Sequence, residues 1–118
     1  MIIVQNSDVR AEESTGEMVA QGKVYRKLLI SQEMAGGGLQ FAEVSFEPGA
    51  RLASHVHDFE QVIYVTEGTG ILATETEEHV VKAGDVVFIP PGEVHWHGAT
   101  KDASFAHVAA FKGGSKVV

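Results

Sequence analysis

Five of the six histidines in this 118-residue chain fall where they could assemble one metal site. His55 and His57 form one His-x-His pair, His95 and His97 form a second, and His107 stands alone in an apolar run. On a strand, side chains two residues apart point to the same face. Two such pairs facing each other across a barrel would surround one point with imidazoles, which suit divalent transition metals. An interior His107 would need a ligand, a water or another polar side chain as partner. The chain has no cysteine, so a zinc–thiolate site and a disulfide framework are both excluded.

The elements that must hold these donors read as short strands. Thirteen glycines and three prolines punctuate the chain, and no segment sustains a helical period. Strands are expected over residues 24–30, 39–47, 61–67, 71–75, 79–82, 86–89, 94–98 and 104–111. Turns are expected at 31–38, at Pro48-Gly49, at Gly68-Thr69-Gly70, over 75–78, at Ala83-Gly84-Asp85 and at Pro90-Pro91-Gly92. Residues 1–4 are apolar and read as an edge or exchanged strand. Residues 6–22 read as polar loop or ragged edge, and 112–118 as a frayed tail. Such spacing indicates an all-β sandwich or barrel formed by one domain over 1–118.

Residue parity separates an inside from an outside. From His55 onward the odd positions are His55, His57, Phe59, Gln61, Ile63 and Val65: donors first, then apolar residues. That is the expected inner face of a barrel with ligands at its mouth and its core below. Glu60 has the opposite parity and is weighted below Gln61. Phe41, Phe59, Phe88, Ile63, Val65 and Phe111 are expected as core or pocket wall. Trp96 is expected outside the pocket or at a subunit interface, and His79, following Glu77-Glu78, in solvent. Gly49, Gly68, Gly84 and Gly92 are expected to take positive φ.

Composition narrows the class of partner. At 44% apolar and 21% charged residues the chain is globular rather than disordered. Its formal charge of −7 argues against nucleic acid and anionic membranes. No apolar run approaches the ~18 residues of a membrane span. The opening MIIVQNSD lacks the basic region of a signal peptide, so the cytoplasm is the expected compartment.

Two spaced motifs resemble the cupin superfamily. The first runs from Gly49 through five residues to His55-Val56-His57, then three residues to Gln61, then six to Gly68. The second runs from Gly84 through five residues to Pro90-Pro91-Gly92, then two residues to His95. Gln61 stands where the first motif usually has Glu, and Ala99 where the second often ends in Asn. The segment His95-Trp96-His97-Gly98-Ala99-Thr100, with His107 ten residues after His97, resembles small cupins related to manganese-dependent hydroxynitrile lyases and to carboxymuconolactone decarboxylase-associated cupins. The strand EQVIYVTEGTG follows the general small-cupin pattern instead, so the substrate does not carry over. The resemblance implies a double-stranded β-helix, or jelly-roll barrel. It implies a divalent transition metal (Mn, Fe, Ni, Co, Cu or Zn) on His55, His57, Gln61 and His95. His97 and His107 would line the pocket and hold or move a proton, and the barrel would pair as a homodimer.

A Gln in place of Glu leaves more positive charge on the ion, which favours an anionic, chelating small-molecule ligand. The expected function is that of a metal-dependent enzyme acting on a small oxygenated organic acid or carbonyl compound. The alternatives are a non-catalytic metal or small-molecule binding module and, less economically for five inward histidines, a barrel that works only by dimerising.

Overall fold

The computed structural model describes residues 1–34 and 36–118; Ala35, inside the expected 31–38 turn, lies outside the described residues. Twelve strands run in chain order among them. They are β1 (Glu12–Glu13), β2 (Val19–Gln21), β3 (Val24–Ile30), β4 (Gln40–Phe46), β5 (Arg51–Leu52) and β6 (His55–His57), followed by β7 (Gln61–Thr74), β8 (Glu78–Lys82), β9 (Val86–Ile89), β10 (His95–Ala99), β11 (Phe105–Phe111) and β12 (Ser115–Val117). Their pairings are antiparallel. One layer has the order β1-β3-β4-β11-β7-β9. The facing layer carries β2, β5, β10, β6 and β12, with β8 along the far half of β7. Because β7 belongs to both layers, the sheet curls into the jelly-roll barrel expected from the motifs. No described helix is long and apolar enough to cross a membrane.

Strand alternation fills the barrel. Phe46, Ile63, Val65, Leu72, Phe105 and Ala109 are among the buried side chains of one continuous core. The odd-numbered inner face holds as expected: His55, His57, Gln61, Ile63 and Val65 are all buried. Phe59 and Phe88 depart from it. Phe59 is 46% exposed because the chain bends between β6 and β7, so the parity skips a residue. Phe88 is 62% exposed because the inward positions of β9 are Val87 and Ile89.

Four other expectations are corrected. Gly68-Thr69-Gly70 makes no turn; it lies inside the single strand β7. Gly68 has φ +73°, and the β7–β11 register slips beside it, where Phe105 pairs Gly68 but His107 pairs Val65. Glycine is required because a Cβ there would strike the Ser104 carbonyl oxygen, and one at Gly70 would sit 2.5 Å from the Phe105 ring. The bend carries β7 from one layer to the other. The 112–118 tail is not frayed, since β12 pairs with β6 through Ser115↔His57 and Val117↔His55. A single edge offered by β6 is enough to order it. Of the two alternatives for residues 1–4, the edge strand is the one corrected: they pair with no strand of their own chain, and Met1, Ile2 and Ile3 are exposed. Residues 6–22 are more ordered than a loop: 3-10 turns at Asn6–Asp8 and Gly16–Met18 accompany β1 and β2.

Candidate metal centre

The two His-x-His pairs lie on neighbouring strands. β6 and β10 pair antiparallel with His55 opposite His95, and alternation turns His57 and His97 inward with them. β11 brings His107 into the same interior from the other layer. All five imidazoles are 5% exposed or less. The structure therefore gathers side chains spread over fifty-three positions, from His55 to His107. Gln61, at the start of β7, is buried with them.

Ring spacing suits a shared ion. An imidazole bound through Nε2 has its centroid roughly 3.2 Å from the metal, so ligands 90–110° apart have centroids roughly 4.5–5.2 Å apart. The centroid distances are 4.4 Å for His55–His95, 5.1 Å for His55–His57, 5.2 Å for His57–His95 and 5.2 Å for His55–His97. Donor atoms of His55, His95 and His97 all lie within 4.8 Å of one another, although the His95 and His97 rings stack with centroids 5.7 Å apart. That three-histidine cluster is compatible with a divalent metal.

Outer nitrogens set the tautomers. His55 Nδ1 lies 2.7 Å from the Ala53 carbonyl and His95 Nδ1 lies 2.8 Å from the Glu93 carbonyl. A carbonyl only accepts, so both Nδ1 atoms carry the proton and both Nε2 atoms present lone pairs. His57 Nδ1 lies 3.1 Å from Ser115 Oγ on the C-terminal strand, with Gly114 supplying a backbone hydrogen bond. Nδ1 of buried His107 has no partner, and four atoms around the cluster are likewise left without one: Nε2 of His57, His95 and His97, and Oε1 of Gln61. Buried polar atoms are rarely orphaned unless something polar is meant to meet them. Each of the four can donate a lone pair to a cation, so the residues present fit the metal that the motifs imply. Glu60 is exposed and takes no part in the cluster.

His97 and His107 form a second unit. His97 Nδ1 and His107 Nε2 are 2.8 Å apart, so one ring donates to the other. When His97 donates, its Nε2 faces the cluster as a base. When His107 donates, His97 Nε2 faces the cluster as an acid. Switching between the two takes a proton in at His97 Nε2, the shared proton across the contact to His107 Nε2, and a proton out at His107 Nδ1. Phe46 packs against both rings and helps exclude water.

Burial keeps these imidazoles neutral. Desolvation lowers His55 to about 4 and His107 to about 3. It also lowers His57 and His95, and it drives His97 well below the usual value, with His107 next in effect. Neutral rings are the form that binds metal. The sign for stability follows. A group whose folded pKa lies below its unfolded value of 6.5 contributes fully above pH 6.5 and loses that contribution as pH falls towards the folded value. For His107 alone the loss by pH 5 is about 2 kcal/mol. Urea titrations of metal-free protein at pH 7.5 and 5 are expected to show a drop of at least that size. Equal stabilities would contradict neutral buried histidines.

The remaining assignments are quickly placed. His79 is exposed and bonded to Glu77 at 3.1 Å. Trp96 is half-buried beneath the Arg51 guanidinium, 4.0 Å from its centroid, and points away from the histidines. A cavity of about 340 Å³ opens beside the cluster, with His55, His57, Gln61, His97 and His107 on its wall. That size suits a small organic ligand. Ser115 and Arg26 also reach this wall. Neither carries a spacing signal in the sequence, because each arrives there by pairing between distant strands.

Known proteins share this fold and parts of this sequence. The family model for the Cupin domain matches residues 42–111. The chain is 46% identical over 71 residues to an (R)-mandelonitrile lyase of Granulicella tundricola, covering 58% of this chain and 53% of that protein. It therefore spans about half the length of that relative. An oxalate-binding protein of Thermotoga maritima is 29% identical over 96 residues, covering 80% of this chain and 79% of its own. The crystal structure of a cupin-like protein from Thermotoga maritima superposes with a TM-score of 0.87 at 33% identity, covering 92% of this chain and 85% of the other. With the barrel, both motifs and the inward histidine cluster in place, the chain belongs to the cupin family.

Proposed function

We propose that this cupin is a metal-dependent enzyme of the cytoplasm acting on a small oxygenated organic acid or carbonyl compound. Its reaction would be of the lyase, isomerase, decarboxylase or oxygenase type. His55, His57, His95 and Gln61 hold a divalent transition metal, with Mn, Fe, Co, Ni, Cu and Zn all suited to such donors. The bound ion supplies Lewis acidity towards a carbonyl or hydroxyl oxygen. The chain's own residues do the rest. The carbonyls of Ala53 and Glu93 fix two ligand rings, and Phe46 shields the interior from water. His97 Nε2 faces the reacting group and gives or takes a proton, which His107 relays. The observation that carries this reading is the convergence of orphaned donors beside one cavity, next to a hydrogen-bonded imidazole pair.

The relatives support this range of chemistries without choosing among them, one being a mandelonitrile lyase and another an oxalate-binding protein. The second also favours the alternative of a binding module that performs no chemistry. The apolar outer face made by Val62, Tyr64, Val86 and Phe88 supports a homodimer.

The test is a screen of metal-loaded protein against hydroxy acids, keto acids, catechols and cyanohydrins, following turnover and oxygen uptake. Conversion of at least one class is expected, and His97→Gln should keep its metal while losing at least about a hundredfold in rate. Saturable binding with no conversion anywhere in the screen would favour the module. Metal loss from His97→Gln would move that residue from proton transfer to ligation.

A further inference from the structure

The cavity beside the histidines has one formally charged residue on its wall, and it is a cation. Arg26 lies on β3, where it pairs Val44 of β4; Val44 pairs His107 of β11, which pairs Val65 of β7. Directly paired residues share a face, so Arg26 belongs to the inner row that contains buried His107 and Val65. Two strand spacings separate it from His107, roughly 10 Å between Cα atoms. No aspartate, glutamate or lysine lines the same cavity. The imidazoles around it are neutral at pH 7, as burial dictates. In a chain of net charge −7, this pocket is locally positive before any metal is added.

Arg26 is also unpaired. Glu12 is its Cα partner on β1, yet the ion pairs among the described residues are His79–Glu77 and Lys82–Asp85 only. No side-chain hydrogen bond involves its guanidinium among the described residues. A guanidinium presents a planar fork that matches a carboxylate's two oxygens. It stands at the β3 side of the cavity, away from the Gln61 end of β7.

We propose that Arg26 determines substrate class by pairing with a carboxylate at one end of the ligand while the ligand's other oxygenated end reaches the histidine cluster. The inference rests on the metal-site reading given above and deepens it. It selects acids with two separated oxygen functions over compact chelators, whose oxygens all crowd onto the ion.

Calorimetric titration of manganese-loaded protein separates the outcomes. The probes are succinate, glutarate and adipate, each set against the monocarboxylate of equal length: butyrate, valerate and hexanoate. Wild-type protein should bind at least one dicarboxylate about tenfold more tightly than its partner, a gain sized for a partly exposed ion pair. In Arg26→Gln that gain should shrink below about threefold, with Arg26→Lys between the two. Because Arg26 is exposed, both variants should fold, and their manganese content should equal that of the wild type. A gain that survives Arg26→Gln, or no gain at any length in the wild type, would overturn the assignment. Wild-type protein that takes up no manganese would instead refute the metal reading. Arg26 is then judged by butyrate binding to metal-free wild type and Arg26→Gln: weaker binding in the variant supports it, and equal binding overturns it.

Discussion

His95→Ala is expected to purify with less than about a tenth of the wild-type metal content and with no turnover. In the proposed site the geometry of His95 is already set by the fold: its Nδ1 is committed to the Glu93 carbonyl, and its Nε2 is buried without a partner. Removing it takes a donor from the three-histidine cluster, leaving His55 and His97 of that set. The thermal consequence follows from linkage. An ion present at about a thousand times its dissociation constant stabilises the fold by about 4 kcal/mol, or on the order of 15 °C for a domain of this size. The wild type should lose that increment on chelator treatment, whereas His95→Ala should be indifferent to chelator. Wild-type metal content in the purified variant would remove the basis of the site.

Gly68→Ala is expected to cost at least about 3 kcal/mol in urea denaturation and to disorder the histidine cluster with the barrel. Two penalties add. The backbone at Gly68 sits at φ +73°, which a side chain tolerates poorly, and the new Cβ would meet the Ser104 carbonyl oxygen, part of a backbone that cannot rotate away. Gly84→Ala is the control. Its φ is +97°, but a Cβ there meets nothing within 4 Å, so only the conformational cost of about 1 kcal/mol applies. Similar losses in the two variants would mean that the bend in β7 is not the close contact described.

Much of the site was legible because it depends on short spacings. His-x-His on a strand places two imidazoles on one face whatever the rest of the chain does, and that alternation also put Gln61, Ile63 and Val65 inside. The four glycines expected at positive φ, namely Gly49, Gly68, Gly84 and Gly92, all adopt it. Phe59 and Phe88 were misplaced because parity counts residues and does not register where a strand breaks or which of its faces is covered.

From the sequence alone came the kind of donor, the pairing of donors on strands, the need for a polar partner at His107 and the all-β class. These are local properties, fixed by residue chemistry and by the two-residue period of a strand. Tertiary structure alone decided that His107 meets His97, that Ser115 of the tail backs His57, that β7 passes unbroken between layers, and that Arg26 shares a cavity with the histidines. Each depends on the register between strands far apart in the chain. Register is set by the packing of the whole barrel, which no local pattern encodes.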